Sequence, residues 1–229
     1  SGGTEPGVEA ARVQDCFQRF ERDIFVAPLR RAAEDLAEAQ ALLPAAPAAM
    51  RPIFAATAEH HAAWLAKERG DLNQTQALLL SAQDLWRKQA ARADLSAAQQ
   101  ALVRQGLSIC ADGLGEVAYH RGEPQTALRR YDEATAPIWR TVVAGVTPRV
   151  VPAFLAYARA LAQEDLGDKK AAAEALHHAG GFVEQFLADP ARIGKDYALG
   201  RWQQARVLCR QGRHALDDGR LDDARQQLG

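Results

Sequence analysis

The sequence predicts an all-α fold, an α-solenoid of four to five antiparallel helical hairpins with no sheet. Three observations carry this. The chain is rich in Ala, Leu, Gln, Glu and Arg, the strong helix formers. No segment alternates apolar and polar residues strictly between turn signals, as a half-buried strand would. Four short stretches repeat one turn: Lys67-Glu68-Arg69-Gly70-Asp71, His120-Arg121-Gly122-Glu123-Pro124, Glu164-Asp165-Leu166-Gly167-Asp168 and Asp217-Asp218-Gly219-Arg220-Leu221. Each is a helix end, a glycine and a helical restart, and recurrence at long period marks a stacked helical array. A compact bundle is the alternative.

The elements follow from the breaks. Pro28, the stretch Pro44 to Pro52, Ala93-Asp94, Thr147-Pro148, Asp189-Pro190 and the four glycines divide the chain. Helices are expected at 8–26, 28–43, 52–69, 72–92, 96–121, 124–145, 149–166, 168–188, 190–218 and 221–228. Pro52, Pro124 and Pro190 suit a first helical turn, where no N–H is missed. Ser96-Ala97-Ala98-Gln99 has the form of a capping box. The turn glycines sit where a helix C-terminus goes left-handed. Within 96–121, Val103, Leu107, Cys110, Leu114 and Val117 form one apolar stripe. Ser108, Asp112, Glu116 and Tyr119 lie on a second, mixed face, expected to meet solvent or ligand.

Three parts are expected. Residues 1–7, beginning Ser1-Gly2-Gly3, read as a disordered remnant of tag cleavage. Residues 8–50 form an N-terminal hairpin or cap around Phe17, Phe20, Phe25 and Leu29, and 51–229 one continuous set of repeats. The last residues, Gln226-Gln227-Leu228-Gly229, stop inside a helix and suggest a piece of a longer protein.

Composition narrows the function. The balance of 48% hydrophobic and 25% charged residues in 229 is that of a globular chain. A net charge of −1 gives no global field toward nucleic acid or an anionic membrane. No run is long and apolar enough to span a bilayer. Cys16, Cys110 and Cys209 are odd in number and form no CxxC pair. They read as small, mostly buried residues of a reducing compartment, so a cytoplasmic setting is expected. The Ala- and Arg-rich composition points to a bacterial chain. No GxxxxGK[ST], HExxH, GxSxG or GxGxxG motif occurs, and no cofactor or metal is called for. Adjacent histidines, His60-His61 and His177-His178, point about 100° apart on a helix and chelate one ion poorly. Trp64, Trp86, Trp139 and Trp202 are expected in helix packing, and Gly113-Leu114-Gly115 at a close helix crossing.

The stretch Leu114-Gly115-x-x-x-Tyr119-x-x-Gly122-Glu123-Pro124-x-x-Ala127-x-x-x-Tyr131-x-x-Ala134 resembles the tetratricopeptide repeat. The corresponding small residues are Ala63 and Thr75 around Gly70, Ala160 and Ala172 around Gly167, and Gly212 and Ala224 around Gly219. The turn glycines stand 52, 45 and 52 residues apart (122−70, 167−122, 219−167). The standard unit is about 34 residues, so the resemblance is to a long-helix variant. It implies that the first helix of each hairpin lines a concave, partner-binding groove. By position this gives His60, His61, Trp64 and Lys67, then Asp112, Glu116, Tyr119 and His120. Next come Phe154, Tyr157, Leu161 and Glu164, and last Arg206, Arg210, Arg213 and Asp217. The partner-binding set is taken as His60, Trp64, Lys67, Asp112, Glu116, Tyr119, Tyr157, Arg206, Arg210 and Arg213.

Arg206, Arg210 and Arg213 share one helical stripe by spacing alone. Their planar forks suit carboxylates or phosphates, so an acidic peptide segment is the expected partner. The competing reading is a stripe paired within the molecule. Three function classes result: a non-enzymatic protein–protein interaction or scaffold module, a sensor domain binding a peptide or small ligand, and a catalytic helical bundle. The last requires carboxylates and histidines converging in a closed cavity.

Overall fold

The structure, a computed structural model, describes residues 6–143, 150–188 and 195–228. All regular structure among them is helical: α1 (Pro6–Val26), α2 (Leu29–Leu42), α3 (Arg51–Glu68), α4 (Leu72–Ala90), α5 (Ala97–His120), α6 (Pro124–Val143), α7 (Val150–Asp165), α8 (Lys169–Leu187), α9 (Lys195–Asp217) and α10 (Leu221–Leu228). A short 3-10 turn, Leu43–Ala45, follows α2. The expected tag remnant at 1–7 falls largely outside the described residues, as do the Thr147-Pro148 break, the Pro190 helix start and Trp139's side chain.

The four turn glycines do what the sequence asks of them. Gly70, Gly122, Gly167 and Gly219 all have positive φ, between 73° and 79°. In each, the glycine N–H reaches back to one carbonyl and the next N–H to another. At the first turn Gly70 N donates to Lys67 O (2.8 Å) and Asp71 N to Ala66 O (3.0 Å). At the last, Gly219 N donates to Leu216 O and Arg220 N to Ala215 O. This double closure satisfies carbonyls that a helix end leaves orphaned. Asp71 and Asp168 then accept from Gln74 N and Ala171 N and start α4 and α8. The capping box also forms: Ser96 N donates to Gln99 Oε1 at 2.9 Å, and Gln99 N to Ser96 Oγ at 3.3 Å.

The contacts divide the chain into two compact units, Ser1–Val117 and Ala118–Gly229, with the boundary near the end of α5. In the first, α1 pairs with α2 and α3 with α4, and α3 also touches α1 and α2. Its core is built from Phe17, Phe20, Ile24, Leu36, Phe54 and Leu65. A second cluster, around Ile53, Trp86, Val103 and Cys110, draws on α3, α4 and α5. Phe17 and Phe20 are core as expected, and Phe25's side chain lies outside the described residues. In the second unit α7 pairs with α8 and α9 with α10, while α6 packs on α7 and α8 on α9. Tyr157, Leu176, Ala179 and Val207 form its core.

The small residues at the helix crossings are buried. Ala63, Ala127, Ala160 and Ala172 are at 0% exposure. Thr75, where the pattern departs from alanine, is at 1% and donates its hydroxyl to Asp71 O at 2.7 Å. Gly113 admits Leu79: a Cβ there would stand 2.9 Å from Leu79 Cδ1. Gly106 is tighter, with a would-be Cβ 2.2 Å from Trp86 Cε2.

Two expectations are corrected. The mixed face of α5 is not a solvent face: Ser108 is 1% exposed, and Asp112, Glu116 and Tyr119 are half-buried. From Gly106 to Ala118 no residue of the helix is exposed, so this stretch has no open side. Among the cysteines, Cys16 and Cys110 are buried but Cys209 is exposed.

Candidate functional site

In the first unit the expected groove residues lie on α3 and α5. Lys67 Nζ sits 2.7 Å from Glu116 Oε2. Burial alone would lower the Lys67 pKa, but the Glu116 carboxylate overrides it and raises the value. Asp112 lies one turn before Glu116 on the same face. Burial, and next the Glu116 charge, push its carboxyl up to about 7, with Lys67 pulling the other way. One ammonium cannot neutralise two carboxylates, so Asp112 holds a proton near neutrality.

His60 and Trp64 depart from the groove expectation to different degrees. His60 is 4% exposed and turned into the core, while Trp64 is half-buried against His60, ring centroids 4.6 Å apart. The reason is legible in α3 itself. Ile53, Phe54, Ala56, Ala58, Ala63, Leu65 and Ala66 surround the helix, and a helix apolar all round is a buried one.

In the second unit the expected residues come together on α7, α9 and the end of α5. Arg210 grips Glu164 with two donors, Nε at 2.9 Å to Oε1 and Nη2 to Oε2. His214, one turn on, brings Nε2 to 2.6 Å from the same Oε1. The Glu164 hydrogen bond raises the Arg210 pKa. Burial raises that of Tyr119, helped by the charge of Asp165 and the hydrogen bond to it. Arg210 is therefore engaged within the molecule. Its paired state is the competing reading of the arginine stripe.

Arg206 is held differently. Its guanidinium carbon lies 4.3 Å from the Tyr157 ring centroid and 4.5 Å from that of Trp202. Nη1 makes a long contact, 3.4 Å, to Gln203 Oε1. Tyr157 is nearly buried at 9%, whereas Trp202 is 54% exposed, its ring 6.1 Å from that of Phe154. Gln203, wholly buried, donates from Nε2 to Ala153 O at 3.4 Å and ties α9 to α7 beneath this platform. Arg213 is exposed.

The partner-binding set thus omitted Trp202, Phe154, Glu164 and His214. The signal was present: Trp202, Arg206, Arg210 and His214 step by four along α9, one continuous stripe. Trp202 is not the packing residue expected, unlike Trp86 at 3%.

A semi-open cavity of about 370 Å³ lies elsewhere in this unit, between α8, α9 and α10, lined by His177, Gly181, Glu184, Gln204, Leu208 and Gln226 among others. Among the described residues no three His, Cys, Asp or Glu side chains are placed to hold a metal. No described helix is long and apolar enough to cross a membrane. The chain matches no protein-family model and no curated protein.

Proposed function

We propose that the chain is a non-enzymatic, tetratricopeptide-like helical repeat that binds a segment of another protein on the α7–α9 face of its second unit. One observation carries the reading. A tryptophan is left 54% exposed while its ring is steadied by Phe154 and by Arg206, itself stacked on Tyr157. Tryptophan, tyrosine and arginine dominate interface hot spots, and a group already oriented loses little entropy on binding. The repeat reading is supported by four identical glycine turns and by buried small residues at the crossings.

The partner expected is acidic with an apolar residue beside the acid. Arg206 and Arg213 supply the positive charge, and no Asp or Glu among the described residues lies within 4.0 Å of Arg206. Arg210 serves instead to position the face, since Glu164, which His214 also contacts, already occupies it.

The test is selection of a displayed random-peptide library on the immobilised chain. Acidic and apolar residues should be enriched together. A synthetic consensus peptide should bind Trp202→Ala and Arg206→Gln at least about tenfold more weakly, more than about 1 kcal/mol. Equal binding to both variants overturns the reading. If no peptide is enriched, the sensor alternative takes its place, and the α8–α10 cavity, of small-ligand size, is where its ligand would sit.

A further inference from the structure

The binding face proposed above leaves most of α9 without a role. A second row runs along that helix. Trp202, Ala205, Cys209, Gly212 and Leu216 step by three, four, three and four, as the a and d positions of a heptad do. They stand 17, 14, 10, 7 and 3 residues before Gly219. The same offsets from Gly70 give Ile53, Ala56, His60, Ala63 and Lys67 of α3. The last four of them, counted from Gly167, give Ala153, Tyr157, Ala160 and Glu164 of α7.

On α3 and on α7 this row is covered by the first helix of the next hairpin. Ile53 and Ala56 share a core with Val103 and Cys110 of α5, and Lys67 pairs with Glu116 of the same helix. Along α7, Ala153 O accepts from Gln203 of α9, Tyr157 lies under Arg206, and Glu164 is held by Arg210. Ile53, Ala56, His60 and Ala63 are buried, as are Ala153, Tyr157 and Ala160. On α9 the row is open. Trp202 is 54% exposed and Leu216 47%, Ala205 and Cys209 are exposed too, and only Gly212 is buried.

We propose that the partner of the α7–α9 face is an acidic amphipathic helix lying along this row of α9, as α9 itself lies along α7. The inference rests on that binding face and gives its partner a form. Periodicity favours a helix. A row with a period of 3.5 residues is matched by a second helix, whereas an extended strand repeats its side chains every two residues. Ala205, Cys209 and Gly212 are small, so the two backbones can approach between the larger Trp202 and Leu216. Charge favours an acid. From Arg201 to Leu216 the helix holds no Asp or Glu. By spacing, Arg206 and Arg213 flank the row on one edge and Arg201 on the other. Two copies of the chain pairing through this row would set arginine edge against arginine edge, so a second copy is not the occupant. Trp202 to Leu216 spans about 21 Å at about 1.5 Å per residue, so about four turns of partner helix fill it.

The probe is a synthetic peptide of about 18 residues, five turns, with leucine and alanine alternating at steps of three and four and glutamate on both flanks. One form is braced as a helix by an i, i+4 lactam on its outer side, and the other carries a central proline. On the whole chain the braced form should bind at least about tenfold more tightly, because proline breaks the helix and bracing removes the cost of ordering it. Saturating braced peptide should shield Cys209, the exposed one of the three cysteines, from alkylation. Ala205→Gln and Leu216→Ala alter exposed side chains only, so both variants should fold, and each should weaken the braced peptide about fivefold or more. These two variants separate the inference from the reading beneath it. If Trp202→Ala and Arg206→Gln weaken the library consensus peptide while Ala205→Gln and Leu216→Ala do not, the segment rests on the Trp202 platform without lying along α9. The helix then falls and the binding face stands. Equal binding of the braced and proline forms, or alkylation of Cys209 unchanged at saturation, overturns the helix as well. So does alkylation of Cys209 that is slow in the free chain and speeds up on dilution, since a second copy would then cover the row.

Discussion

The helices α3 and α9 both follow the same plan and end differently. Each opens a hairpin closed by a left-handed glycine, and each carries aromatic and charged residues at helical spacing. On α3 that face is closed: His60 and His61 are inside, and Lys67 is matched across to Glu116 of α5. On α9 the first half of the stripe stays open, with Trp202 54% exposed and Arg206 stacked, while the second half is closed by Glu164. Residue type and register are alike. What differs is how many neighbours cover the helix. Surface chemistry on a helical hairpin is thus set by packing around each helix as much as by its sequence.

The largest expected effect strikes the closed unit. In Gly106→Ala the new Cβ would lie 2.2 Å from Trp86 Cε2, and Trp86, at 3% exposure, has little room to withdraw. Overpacking of this kind costs about 1–3 kcal/mol, sometimes more, and the upper end applies because an indole is rigid. Urea unfolding followed by exchange should show the loss in α4 and α5. An unchanged midpoint would mean that α4 and α5 are not closely crossed, and the comparison would lose its basis.

Next is the charge cluster of the closed unit. The folded Asp112 pKa, about 7, stands above its unfolded value near 3.8. A raised carboxyl contributes stability that is complete below about pH 4 and lost as pH rises through about 7. Asp112→Asn removes that loss, so the variant should gain on the wild-type chain as pH increases from 4 to 8. Allowing for partial exposure, about 2 kcal/mol is expected across the window. A difference that does not change with pH would show that Asp112 ionises freely.

Much of the fold was legible in the sequence. Turn glycines, caps and prolines are local devices, and local chemistry placed the described helix ends within a few residues, as at Gly70 and Ser96. The site was legible only in part. The resemblance brought Tyr157, Arg206 and Arg210 to one face, but position on a helix does not say whether Glu164 lies across from Arg210. That depends on the offset between α7 and α9, a long-range quantity. His60 was misjudged for a more avoidable reason: the alanines around it already marked α3 as enclosed.

The smallest effect probes the open unit and has the opposite sign. Gly181 lies inside α8 on the wall of the 370 Å³ cavity, and a Cβ there meets nothing within 4 Å. Its backbone is ordinary right-handed helix, so no positive φ calls for glycine. Alanine then gains the full helix-propensity difference, close to 1 kcal/mol, largely by restricting the unfolded chain. Gly181→Ala should raise the unfolding midpoint of the second unit slightly, with α8 better protected against exchange. Gly106 and Gly181 are both helical glycines, and one side is filled by an indole while the other faces empty space. If Gly181→Ala destabilises as Gly106→Ala does, the wall of that cavity is closed in solution, and the contrast between a covered and an uncovered unit fails at its most sensitive point.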